Sequence, residues 1–173
     1  MVEVTVEITK QCLNECPWCS TGATPDGEHL SFEKIKEFLD SIDNIDIINV
    51  SGGEPLRHPE FSKIWWYCRS KSEKVVLYSN AIEYLKYNTY VIKEINIEAN
   101  VVMVPGQECY LSSKAKNHLL KLVHQGRAKD FPNHEIVVSR NFYDPNACET
   151  CDHILLQADG KTVSAPCKKE YSP

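Results

Sequence analysis

Apolar and polar residues alternate from Val2 to Ile8, the period of a half-buried strand. The next periodic stretch is helical. Phe32, Ile35, Phe38 and Leu39 recur at helix spacing, Ser31 precedes them as an N-cap, and Glu33 and Glu37 lie early in a helix expected to reach about Ile42. Asp46 to Val50 predicts a second strand, ending in Ser51-Gly52-Gly53-Glu54-Pro55. Glu60 to Ser70 predicts a second helix with Phe61, Ile64, Trp65 and Cys68 on one face. A third strand follows at Lys74 to Tyr78 and stops at Ser79-Asn80. Beyond it the pattern predicts a weaker helix over Ile82 to Lys93 and a fourth strand over Ile95 to Val104. A helix over Ser112 to His124 and a fifth strand over Glu135 to Ser139 follow.

Strands alternating with helices imply an α/β fold, a parallel sheet of about five strands with helices outside. Right-handed crossovers put the C-terminal end of every strand on one rim. The Cys-rich loop after strand one, Gly52-Gly53-Glu54-Pro55 after strand two and Ser79-Asn80 after strand three then converge there, where parallel α/β folds build their sites. The alternation fills residues 1–140. Residues 141–173 read as an irregular tail with Cys148, Cys151 and Cys167.

Composition narrows the function. At 173 residues, 42% hydrophobic and 25% charged, the chain is long enough for one well-buried core. A net charge of −5 gives no footprint for nucleic acid or an anionic membrane. No apolar run approaches the roughly 18 residues of a membrane span. The N-terminus has neither the basic start nor the apolar core of a signal peptide, so a cytoplasmic location is expected. Eight cysteines would stay reduced there and point to metal or redox chemistry.

Three of them, Cys12, Cys16 and Cys19, fall within eight residues as C-x3-C-x2-C. Structural zinc sites close a four-ligand tetrahedron, usually from two separated pairs. A redox C-x2-C pair would leave Cys12 unexplained. A 4Fe–4S cluster uses all three thiols and leaves one iron open. In the tail, Cys148, Cys151 and Cys167 flank a signal for a hairpin with a two-residue type I′ turn at Asp159-Gly160, which would bring the thiols together at its base. That nest suits zinc, with His153 or Cys109 as fourth ligand, or a second cluster. Cys68 reads as a core residue.

The C-x3-C-x2-C loop with Trp18 before its last Cys, followed by Gly52-Gly53-Glu54-Pro55, resembles the radical S-adenosylmethionine superfamily. The resemblance covers roughly Val2 to Ser139 and implies a partial β/α barrel. It also implies a 4Fe–4S cluster on Cys12, Cys16 and Cys19, whose open iron takes the amino and carboxylate groups of S-adenosylmethionine. Reductive cleavage would then give a 5′-deoxyadenosyl radical that abstracts hydrogen from a substrate. It further implies cofactor contacts from Gly52, Gly53, Glu54 and Pro55 to the methionine end and from Trp18 to the adenine. Ser79 and Asn80 add a polar turn, with Ala81 where the family often has glycine, and Glu98 or Asn100 would meet the ribose. The tail resembles the twitch or SPASM auxiliary module, implying a second 4Fe–4S cluster on Cys148, Cys151 and Cys167, with Cys109 as a candidate fourth ligand.

The partners expected are an acidic flavodoxin- or ferredoxin-like electron donor, docking on the basic stretch Lys114, Lys116, Lys121, Arg127 and Lys129, and a substrate. A peptide or protein substrate is favoured over a small molecule or nucleotide. The open barrel edge would suit a second copy or a partner subunit. The rival outside the enzymes is an iron–sulfur electron carrier, which has no use for Gly52-Gly53-Glu54.

Overall fold

A computed structural model describes residues 1–17, 19, 21–80, 98–103, 116–121 and 153–164. Its larger sheet has five strands in the order β3-β2-β1-β6-β7. Central β1 (Glu3–Thr9) pairs in parallel with β2 (Ile47–Gly52), and β2 in parallel with β3 (Lys74–Leu77). Two helices connect these strands, α1 (Phe32–Asp40) and α2 (Phe61–Lys71). Ser31 caps α1, its side chain accepting the Lys34 amide.

Alternation along β1 and β2 separates two faces. Val4, Val6, Ile8, Ile48 and Val50 are fully buried. They form a core with Ile35 and Leu39 of α1 and with Phe61, Ile64, Trp65 and Cys68 of α2, the residues that helix spacing had picked out. Glu3, Thr5 and Asn49 belong to the other face. There Asn49 Nδ2 donates to Glu3 Oε1 at 2.7 Å and to Thr5 Oγ1 at 3.3 Å.

Three features depart from expectation. First, Lys116–Lys121, within the expected helix over Ser112 to His124, is a strand, β5, paired in parallel with β4 (Glu98–Met103). Asn117 and His118 are weak helix formers, and a pairing partner 18 residues back decides the conformation. Among the described residues, β4 and β5 form their own two-stranded sheet. Second, the tail hairpin, β6 (Ile154–Leu156) and β7 (Thr162–Ser164), is part of the larger sheet. β6 lies parallel to β1, on the side away from β2. So the fifth position is an antiparallel strand from the tail. Third, the hairpin turn is not the two-residue type. Gly160 N donates to Gln157 O and Gln157 N to Lys161 O, each at 2.8 Å. Only Gly160, at φ +83°, is left-handed. That is a type I turn closed by glycine. The stretches expected as a helix at Ile82 to Lys93 and a strand at Glu135 to Ser139 lie outside the described residues.

Candidate functional site

The parallel register places the ends of β1, β2 and β3 on one rim, and the cysteine loop leaves from β1. Backbone bonds fold that loop back on itself. Lys10 N donates to Glu28 O at 2.8 Å, Thr24 N to Lys10 O at 3.0 Å and Cys12 N to Thr24 O at 2.9 Å. Leu30 N then returns to Ile8 O at 2.9 Å. Within the loop Glu15 takes φ 43° and Cys19 N donates to Cys16 O at 3.1 Å, which compacts the run between the thiols. Cys12, Cys16 and Cys19 are half-buried thiols.

The glycines at the end of β2 have a local reason. Gly52 sits at φ +132°, and a Cβ there would stand 2.3 Å from Thr9 O. A Cβ on Gly53 would stand 2.5 Å from Gln11 O. The space expected for a ligand at these two positions is filled by the chain's own backbone. Gly53 N donates to Thr9 O at 2.7 Å and Glu54 N to Gln11 O at 2.8 Å. Both N–H groups are thus used to hold this segment against the start of the cysteine loop. What it offers an ammonium group is carbonyl oxygen.

Glu54 points inward and is 1% exposed. Its Oε1 accepts Leu56 N at 3.0 Å and Ser79 Oγ at 2.9 Å, and its Oε2 accepts Asn80 N at 2.8 Å. The expected cofactor residue is by its side chain an internal brace, tying the end of β2 to the end of β3. Pro55 opens the 3-10 turn Pro55–Arg57, where its missing N–H costs nothing.

Among the described residues, Asn80 and Thr21 place polar side-chain atoms beside thiols. Asn80 Nδ2 lies 3.9 Å from Cys12 Sγ, and Thr21 Oγ1 lies 3.3 Å from Cys19 Sγ. The family resemblance had marked Asn80 for the cofactor; neither it nor the spacing marked Thr21. The one available signal for Thr21 was a hydroxyl two residues after the last cysteine. Beneath the loop, His58 is 1% exposed. Its Nε2 donates to Leu30 O at 2.9 Å and its Nδ1 accepts Glu60 N at 3.0 Å. Burial pushes this imidazole below its ordinary pKa.

The polar face of the sheet carries the second group of residues that pattern reading passed over. Thr5 Oγ1 joins His153 Nε2 at 2.7 Å across β1 and the start of β6, beside the Asn49 bonds. His153, considered above as a zinc ligand, spends that nitrogen on Thr5. Burial pushes the Glu7 carboxyl above its ordinary range, partly offset by the Ala158 amide. That contact fixes the hairpin turn beside the cysteine rim.

Among the described residues, no three His, Cys, Asp or Glu converge as donors for one metal ion. The thiols of Cys12, Cys16 and Cys19 are therefore not a preformed single-ion site. Three thiols in one braced loop do suit a cluster, where each meets its own iron. Trp18, Cys109, Cys148, Cys151 and Cys167 lie outside the described residues, and Glu98 and Asn100 are placed on β4 by their backbone alone. Among the described residues, no helix is long and apolar enough to cross a membrane.

Known proteins share this architecture. The chain is similar to an AdoMet-dependent heme synthase of Methanosarcina barkeri, 37% identical over 79 residues. That match covers 43% of this chain and only 22% of the relative. The fold is similar to the crystal structure of BtrN in complex with AdoMet and 2-DOIA, with a TM-score of 0.55 at 17% identity, over 93% of this chain and 71% of that one. The Radical SAM superfamily model matches residues 6–109, a span that holds the cysteine loop, Gly52-Gly53-Glu54-Pro55 and Ser79-Asn80. The chain belongs to the radical SAM superfamily.

Proposed function

We propose that the protein is a radical enzyme that cleaves S-adenosylmethionine reductively and abstracts a hydrogen atom from an organic substrate. The observation that carries this reading is the interlock of three strand ends: Gly53 N on Thr9 O, Glu54 N on Gln11 O and Asn80 N on Glu54 Oε2. An electron carrier needs the thiols and has no need of this brace. In the proposal Cys12, Cys16 and Cys19 hold three irons of a 4Fe–4S cluster. Carbonyls of the Gly52–Glu54 segment receive the methionine ammonium, Trp18 lies on the adenine, and Glu98 or Asn100 meets the ribose. When bound and reduced, the cluster supplies the electron that breaks the S–C5′ bond. The chain's residues brace the loop, orient the cofactor and present the polar face to the substrate.

A second cluster on Cys148, Cys151 and Cys167 is part of the proposal. Its support is the direction of β6. Because β6 runs parallel to β1, the open end of the hairpin, His153 and Ser164, stands at the rim where β1 begins. Cys151 precedes His153 by two residues and Cys167 follows Ser164 by three. That rim lies about 20 Å from the cysteine loop, the length of β1, with Glu3, Thr5, Asn49 and His153 on the polar face of the sheet. For the substrate we propose a peptide or protein segment, on the resemblance of the tail alone.

The test is anaerobic reconstitution of the full chain, reduction, and detection of 5′-deoxyadenosine and methionine. Product from the parent and none from the Cys12→Ala/Cys16→Ala/Cys19→Ala variant is expected. No product from a parent chain that holds its iron would overturn the reading. Faster 5′-deoxyadenosine formation with a peptide pool than with small metabolites is expected for the substrate class, and the reverse order would discard it.

A further inference from the structure

We propose that Thr21 and Asn80 are tuning residues for the cluster, each donating a hydrogen bond to one ligating sulfur and together raising its reduction potential. The inference rests on the cluster being held by Cys12, Cys16 and Cys19.

The geometry comes first. Thr21 Oγ1 is 3.3 Å from Cys19 Sγ and Asn80 Nδ2 is 3.9 Å from Cys12 Sγ, both within reach for a sulfur acceptor. For Thr21 and Cys19 as thiol and hydroxyl, either atom could donate. A cysteine bound to iron is a thiolate and carries no proton, so the hydroxyl must be the donor. The carboxamide nitrogen of Asn80 has only N–H to offer, so the direction of that bond is fixed in either state.

Neither donor arrives by accident of a loose side chain. Asn80 is positioned through its main chain, whose N–H meets Glu54 Oε2 at 2.8 Å. Glu54 in turn donates its own N–H to Gln11 O at 2.8 Å, and Gln11 is the neighbour of Cys12. Cys12, Gln11, Glu54 and Asn80 thus close a ring, and the Asn80 carboxamide ends it on the sulfur. Thr21 is placed by the turn after Cys19, where Gly22 N donates to Cys19 O at 3.4 Å.

The chemistry follows from charge. One-electron reduction makes the cluster more negative, and part of that charge resides on its thiolate sulfurs. A donor aimed at such a sulfur stabilises the reduced form more than the oxidised one. Hydrogen bonds to sulfur are among the levers that set cluster potentials. The electron comes from an external one-electron reductant, titanium(III) citrate in the test below, which is oxidised to titanium(IV). No proton or bond changes hands at Thr21 or Asn80.

The experiment is a titration with titanium(III) citrate, followed by electron paramagnetic resonance, on the reconstituted full chain without S-adenosylmethionine. Thr21→Val and Asn80→Ala should each move the midpoint to a more negative potential, and the double variant by close to their sum. Thr21→Ser, which keeps the hydroxyl, should return to the parent value. Tyr67→Phe removes a hydrogen bond to Asp40 between the two helices, away from the cysteine loop, and should not move the midpoint. Iron-replete Thr21→Val and Asn80→Ala with the parent midpoint would overturn the inference, as would an equal shift in Tyr67→Phe. If a variant fails to take up iron, the parent decides. Its reduced cluster should couple to exchangeable protons that disappear in deuterium oxide, and the absence of such coupling rejects the donors. A parent chain without iron is a different failure, that of the cluster assignment itself.

Discussion

The buried Glu54 carboxylate accepts the main-chain amide of Asn80 at 2.8 Å, so the residue that ends one strand fixes the residue that ends the next. A carboxylate at 1% exposure is costly unless its lone pairs are met. Here Leu56 N, Ser79 Oγ and Asn80 N meet them.

Glu54→Gln keeps the shape and turns one acceptor into an NH2 facing a donor. Urea unfolding of the metal-free protein should show a loss of about 2 kcal/mol. Glu54→Ala, which strands three donors, should lose more. An unchanged midpoint for Glu54→Gln would mean the carboxylate is not the brace described.

Gly52→Ala meets two obstacles. Its φ of +132° is closed to alanine, and the added Cβ would stand 2.3 Å from Thr9 O. Strain at such a backbone costs about 1–3 kcal/mol, and the clash adds to it. The variant should unfold at lower denaturant and bind less iron on reconstitution. Parent-like stability and iron content would show that the close approach of β2 to β1 is dispensable.

His58 should make the protein acid-sensitive. Its folded pKa lies below the ordinary value because burial disfavours the cation, and its Nδ1 must stay unprotonated to accept Glu60 N. The unfolded chain binds the proton at a pKa of about 6.5. Stability is therefore full above that pH, and falls as pH drops through 6.5 toward the folded pKa. Equilibrium unfolding at a series of pH values should show this slope, and His58→Asn should reduce it while costing about 1–3 kcal/mol at neutral pH.

Cys68 should be chemically silent. It is fully buried, and burial pushes its thiol up to about 12. Folding favours the neutral thiol, so this contribution is intact below the ordinary thiol pKa of about 8.5 and is lost as pH rises toward 12. In metal-free folded protein at pH 8, iodoacetamide should label Cys12, Cys16 and Cys19 and spare Cys68, as read by peptide mass spectrometry. Equal labelling of Cys68 would contradict its place between α2 and the sheet.

Removing residues 153–173 should uncover an edge of β1. Leu156, 3% exposed, would leave the core, and the strand would present unmet N–H and C=O groups to other chains. Size-exclusion chromatography should show the shortened chain as larger aggregates. A clean monomer of parent stability would mean that β6 adds little.

Much of the local structure was legible. β1, α1 and α2 carry clear periods, and the core faces Phe61, Ile64, Trp65 and Cys68 follow from spacing alone. The placing of the cysteine loop and Gly52-Gly53-Glu54-Pro55 on one rim was legible because each follows a strand whose period is clear. Long-range pairing was not. Lys116–Lys121 becomes a strand because β4 offers a partner, and no local residue says which edge of the sheet β6 will join. The inward turn of Glu54 was hidden for a similar reason. Its three donors come from Leu56, Ser79 and Asn80, two of them about 25 residues away, and a glutamate beside glycines reads as exposed until they are known.

The pairing of Val4 with Ile154 also sets an order of events in time. Once made, β1 acquires its second neighbour only 150 residues later. At about 5–20 residues per second that is a wait of roughly 10–30 s. Joining strands so far apart in the chain is the slow kind of step in folding. During that interval β1 has β2 as a neighbour, but the seat for β6 beside the cysteine loop is vacant. The side of β1 away from β2 is therefore completed late, once the hairpin has docked.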